Sequence, residues 1–101
     1  MRYWFFTIHK TPKRAEASKE FVLETLNKHT AYFKELGKQD KCLFAGPFVD
    51  QTTDMGGGIY SFQCETEDEA RRLADNDPLV AEGLYSYRIL EWRKVVPEGP
   101  N

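Results

Sequence analysis

The chain has 101 residues, room for one compact domain with a modest core, so a single fold over residues 1–95 and a flexible tail at 96–101 are expected. Fourteen Lys and Arg against sixteen Asp and Glu give a net charge of −2 with the signs interspersed, which leaves no basic stripe for a phosphate backbone and excludes nucleic acid as the expected partner. The seven residues between Arg2 and Lys10 are too few for a secretory core, and no apolar run nears the roughly 18 residues that cross a bilayer, so a cytoplasmic chain with no membrane partner is expected.

The first element, "RYWFFTIH" at 2–9, is dense in aromatic and β-branched residues and predicts a strand. It is apolar on both faces, with Tyr3 and Phe5 pointing one way and Trp4, Phe6 and Ile8 the other. After Thr11-Pro12, helical period runs over about 14–39: Val22, Leu26, His29, Phe33 and Leu36 fall at offsets 0, 4, 7, 11 and 14. These five form one stripe, and the stripe places His29 inward with the core residues. Gly37 is an early stop for this helix, while Asp40 can also take the left-handed cap conformation.

Next come two strands, "KCLFAGPFV" at 41–49 and "GGIYSFQCE" at 57–65, joined by the turn-forming loop "DQTTDMG". Pro47 cannot donate to a ladder, so a break or bulge is expected near Gly46-Pro47. If Val49 faces Gly57, the register sets Cys42 opposite Cys64; reduced core thiols are the expectation. Thr66, with Glu69 three residues on, marks a capped helix start, and Asp77 caps a second short turn, "DPLVAEG", that stops at Gly83. A long alternating strand at 84–95 completes the order β-α-β-β-α-β.

That order is the signature of a ferredoxin-like α+β sandwich, a four-stranded antiparallel sheet carrying both helices on one face. The first strand nevertheless carries aromatic residues on both sides, and the last strand offers Leu84, Leu90 and Trp92 on one face, Tyr85, Tyr87 and Ile89 on the other. The face without helices would expose more apolar surface than monomers usually tolerate, which points to a homodimer through the open sheet face and to a small-molecule cavity between or beside the sheets.

A histidine on the first helix, "LFAGPF", the Gly-rich strand start, "TEDEARRLADNDP" and a closing strand that ends in "EW" occur here in one order. In these features the chain resembles the YciI-like (YCII-related) proteins over roughly residues 2–94. The resemblance implies a dimeric α+β barrel and a catalytic pair made by the helix histidine and the aspartate of the "DP" dipeptide, which are His29 and Asp77 at the matching positions. Most such proteins have no assigned reaction, and one is a dehydrochlorinase of a chlorinated hydroxyquinol. Two departures stand out. Asp40 replaces the usual glycine before the second strand, and "TPKRAEASKEF" follows no pattern of the family, so the segment ahead of the histidine can reshape the pocket.

Read from chemistry alone, His29 is either a satisfied core histidine or an imidazole at a pocket wall able to accept and return a proton. Asp77 is a good N-cap in its own right, and its second oxygen could still orient the ring. Asp50 and Asp54 in the loop, and Gly46 at its root, are turn formers that could also touch substrate. Tyr85, Tyr87 and Arg88 could contact a ligand ring or anion, or simply pack a dimer. Gly56, Gly57 and Gly58 form no phosphate loop and suit a bulge or a close backbone approach. His9 reads as a solvated edge residue.

No nucleophile with an adjacent base, no dinucleotide fingerprint and no set of metal-ligand spacings is visible, so neither cofactor nor metal is expected. The surviving class is acid-base chemistry of lyase, isomerase or dehydrochlorinase type on a small cyclic or aromatic compound. The alternative is a non-catalytic small-molecule-binding or interaction module of the same fold.

Overall fold

A computed structural model describes residues 1–98; positions 99–101 of the expected tail lie outside the described residues. The strands are β1 (Arg2–Lys10), β2 (Cys42–Pro47), β3 (Gly58–Cys64) and β4 (Tyr85–Trp92), and the helices are α1 (Pro12–Glu16), α2 (Lys19–Lys38), α3 (Glu67–Asp75) and α4 (Pro78–Ala81). The sheet has the order β2-β3-β1-β4, with every neighbouring pair antiparallel. This is the expected ferredoxin-like α+β sandwich; the first predicted helix is divided in two, while the short turn after the second is the one expected from Asp77-Pro78.

Local chemistry explains the division. The Ser18 hydroxyl accepts the Phe21 N–H at 3.1 Å, so Ser18 caps a new helix, and the expected continuous helix over 14–39 is interrupted at Ala17-Ser18. At the far end the helix passes Gly37 and closes at Asp40, whose φ of 57° lies in the left-handed region. There the Lys41 N–H reaches the Leu36 carbonyl at 2.9 Å, the long return bond of a Schellman cap.

Between β2 and β3 the register differs from the expected one by one residue at the loop end, with Pro47 opposite Gly58. The irregularity falls between Cys42 and Phe44 rather than at Gly46-Pro47, and it sets Cys42 opposite Phe62. Cys64 instead faces Arg2, and both cysteines are free thiols. Pro47 is tolerated as the last residue of an edge strand. The final strand ends at Trp92, short of the expected 95, and residues 96–98 of the expected tail carry neither strand nor helix.

Alternate residues of the central strand divide the molecule into two layers. Trp4, Phe6 and Ile8 join Tyr60 and Phe62 beneath the helices, meeting Phe33 and Leu36 of α2, Ala70 and Ala74 of α3, and Leu79 of α4. Phe6 stacks on Tyr60 at 4.6 Å, and Phe33 lies nearly parallel to Phe62 at 5.8 Å. On the other face Tyr3 packs against Trp92 at 5.5 Å, and the Trp92 indole N–H donates to the Ser61 hydroxyl at 2.8 Å. Tyr3 is therefore buried within a single chain, while Phe44 and Leu90 on the same face remain 41% and 58% exposed.

Candidate active site

Helix α2 presents His29 on the stripe that includes Phe33 and Leu36, and the imidazole lies 4.8 Å from the Phe33 ring. Its Nδ1 is 2.7 Å from Oδ1 of Asp77, a residue 48 positions away. Asp77 is held by the turn that starts α4: the same Oδ1 accepts the Leu79 N–H at 3.0 Å, which is the N-cap bond expected from "DP". Capping and histidine contact thus share one oxygen. The carboxylate is fully buried, and its Oδ2 has no hydrogen-bond partner.

An oxygen that already accepts a backbone N–H acts as acceptor toward the imidazole as well, so Nδ1 carries the hydrogen in this pair. That arrangement leaves the Nε2 lone pair as the basic position of the ring. The imidazole side chain is 19% exposed and forms part of a cavity wall.

The cavity has a volume of about 750 Å³ and lies between α2 and the sheet, reaching out to β2 and the β2–β3 loop. Leu26 and Phe33 of α2, Ile8 of β1 and Leu79 of α4 supply apolar wall, while Gln51 and Gly57 close the loop end. This size and lining fit a small-molecule site. Tyr60 reaches the same space from β3, with its hydroxyl buried and unpartnered; burial, then the Asp77 charge, hold its proton on well above the ordinary phenol range. Burial and Asp77 likewise push the nearby Tyr32 phenol up to about 12, and its O–H donates to the Leu73 carbonyl at 2.6 Å. Cys42 also lines the cavity, but burial pushes its thiol up to about 11, which removes it as a thiolate nucleophile near neutrality.

Residues 1–93 match the YCII-related domain. The chain belongs to this family. Among its relatives is the uncharacterized protein YjpA of Bacillus subtilis (strain 168), 30% identical over 76 residues, which cover 75% of this chain and 85% of YjpA. Among solved structures it is similar to 5-chloro-2-hydroxyhydroquinone dehydrochlorinase (TftG) from Burkholderia phenoliruptrix AC1100 in complex with 2,5-dihydroxybenzoquinone. The TM-score is 0.65, with 22% identity and coverage of 92% of this chain and 94% of that one. The likeness shows that the two share a fold.

In this YCII-related chain the sequence-predicted residues separate into those at the cavity and those away from it. His29, Gly46 and Tyr85 line it, and Asp77 lies directly behind His29. Asp50 does not: its carboxylate accepts the N–H and hydroxyl of Thr52 at 2.8 and 2.5 Å, a turn within an exposed loop. Asp54 is exposed in the same loop. Arg88 is exposed opposite Thr7, on the sheet face turned away from the helices, and the Tyr87 hydroxyl donates to Asp75 at 2.8 Å.

The glycines and His9 also find structural places. Gly56, at φ 108°, sits where a Cβ would come within 2.5 Å of the Ile8 carbonyl, so the close approach is to the chain's own backbone. His9 is half-buried near the end of a central strand and bonds Thr7 Oγ1 at 2.8 Å, rather than standing solvated at an edge.

Among the cavity residues that the sequence did not single out are Lys10, Arg14, Lys34 and Tyr60. Tyr60 could have been found, since it shares strand parity with Phe62. Arg14 comes from "TPKRAEASKEF", a segment that the YCII-related match over residues 1–93 also spans.

Proposed function

We propose that this protein is a small cofactor-independent enzyme in which His29 is the general base and Asp77 its orienting partner. Its chemistry is of lyase, isomerase or dehydrochlorinase type on a small cyclic or aromatic compound. The observation that carries this reading is the 2.7 Å bond from Nδ1 to a fully buried carboxylate, on an imidazole that forms part of a 750 Å³ cavity wall. Nε2 takes a proton from a ring C–H or O–H, and Asp77 stabilises the imidazolium that forms. The electron pair left on the substrate then either expels a leaving group, such as chloride, or is reprotonated at another ring atom by the same imidazolium. Atoms and charge balance without an external oxidant or reductant.

The aromatic wall suits a ring compound, and the dehydrochlorinase named above, which shares this fold, was captured with a quinone. A second copy stacked on the exposed Phe44 and Leu90 of the open sheet face gives the homodimer in this reading.

The test is turnover by the purified protein on 5-chloro-2-hydroxyhydroquinone, followed by chloride release, beside a panel of cyclic ketones and phenols followed by deuterium incorporation from D2O. His29→Gln, which retains a donor for Asp77, is expected to lower turnover by about 10²- to 10⁴-fold. Turnover that survives in His29→Gln contradicts the assignment. Binding without any turnover across the panel favours the non-catalytic module.

A further inference from the structure

The cavity carries cations and no counter-charge of its own. Lys10, Arg14 and Lys34 line it with His29, and among the described residues none of the lining side chains is an Asp or Glu. The carboxylate behind His29, that of Asp77, is fully buried and engaged by His29 and the α4 cap. None of the three cations belongs to an ion pair among the described residues.

Arg14 is the most constrained of them. It is half-buried, its guanidinium lies 5.5 Å from the centroid of the Tyr85 ring, and its Nε is shielded from solvent with no acceptor. A cation–π contact with a tyrosine ring restrains a guanidinium while leaving N–H donors available, whereas a buried N–H without an acceptor costs free energy until a ligand supplies one. The planar fork of such a group matches two oxygens of a carboxylate, or a phenolate oxygen with its neighbour.

We infer that the cavity recognises an anionic ring compound, with Arg14 as the residue that binds its oxyanion while His29 addresses the ring. This deepens the acid-base reading and rests on it for the role of His29, but the anion preference is measurable without turnover. It also gives a purpose to the segment before the histidine: α1, set by the Thr11 cap and by Thr11 Oγ1 donating to the Gly83 carbonyl at 2.6 Å, delivers Arg14 to the cavity.

The test is calorimetric titration of the intact protein with two matched pairs, benzoate against benzamide and 2,4-dinitrophenolate against 2,4-dinitroanisole. The wild type is expected to bind at least one anion about tenfold or more tighter than its neutral partner, and the pair that shows it tells carboxylate from phenolate. Arg14→Gln is expected to abolish that preference with an unchanged melting temperature, and Arg14→Lys to restore part of it. His29→Gln keeps the preference.

Equal binding of anion and neutral analogue, binding of neither pair, or a preference retained in Arg14→Gln overturns the inference. Loss of turnover in His29→Gln would then still support the acid-base reading by itself. An anion preference that depends on Arg14, together with turnover that survives in His29→Gln, refutes that reading and leaves an anion-binding cavity.

Discussion

The two halves of this sandwich, β1-α2-β2 and β3-α3-α4-β4, use their helices differently. In the second half α3 meets the sheet through Ala70 and Ala74, both fully buried, and the chain continues through Leu79 and Leu84, also sealed. Small side chains let that helix lie close to the strands, so little space remains. In the first half the 20-residue α2 buries only Thr25, Phe33 and Leu36, and every β2 residue from Leu43 to Pro47 is exposed. The space left beneath α2 is the cavity. The difference lies in the helices: β1 of the first half is as deeply buried as the second half, but α3 closes on the sheet while α2 stands off it and leaves open space, and Asp77 crosses from the closed side to hold His29 at the open one.

The sharpest way to break this comparison is to uncouple the halves at their shared bond. Asp77→Asn retains a capping side chain, so steady-state kinetics on whichever compound the wild type turns over is expected to show kcat down by about 10²-fold or more, larger than its effect on stability. Packing should respond in the opposite sense. Leu84→Ala is expected to destabilise by about 2–5 kcal/mol and to lower Tm by roughly 10 °C or more in calorimetry, without changing turnover per folded molecule. Thr30→Ala in the cavity wall is expected to stay within about 0.5 kcal/mol.

A fourth change addresses the open face. Under the proposed pairing of copies through this face, the wild type is expected to sediment as a dimer and Leu90→Glu as a folded monomer, because the site of substitution is exposed in the single chain.

The smallest effect concerns pH. The Cys42 thiol is raised from its ordinary 9.0 to about 11 in the folded protein, so above pH 9 the unfolded chain loses this proton before the folded one does. The stability it contributes is full below 9.0 and is lost as pH rises towards about 11. Cys42→Ala is expected to flatten that part of the alkaline decline in Tm, although Cys64, raised to about 11 as well, keeps some of it.

Much of the architecture was legible because short-range rules set it. Aromatic and β-branched density marked β1, the turn-forming loop marked β2 and β3, alternation marked β4, the spacing of Val22, Leu26, His29, Phe33 and Leu36 marked the face of α2, and the caps at Thr66 and Asp77 marked helix starts that the structure reproduces. The positive φ at Asp40 was readable for the same reason. What escaped depended on competition between local signals or on distance in the chain. Ser18 competed with a continuous helical period and won by capping; the strand pairing differs by one residue at the loop end and by a second beyond Leu43, where no glycine or proline announces the irregularity.

Asp50 and Arg88 looked as suitable for a ligand as Gly46 or Tyr85 until the loop folded on itself and strand parity turned Arg88 to the other face. Arg14 was hidden for a different reason. Its value depends on an orphaned Nε and on the Tyr85 ring beneath it, and tertiary packing creates both.

The central claim concerns where one hydrogen sits, and it can be measured without knowing the substrate. Long-range ¹H–¹⁵N correlation spectra of ¹⁵N-histidine-labelled protein report which ring nitrogen carries it. The account predicts that neutral His29 is protonated on Nδ1, bonded to Asp77, with Nε2 bare, and that Asp77→Asn perturbs this state while His9 keeps its signals. A neutral His29 protonated on Nε2, or one indifferent to the change at Asp77, would contradict it.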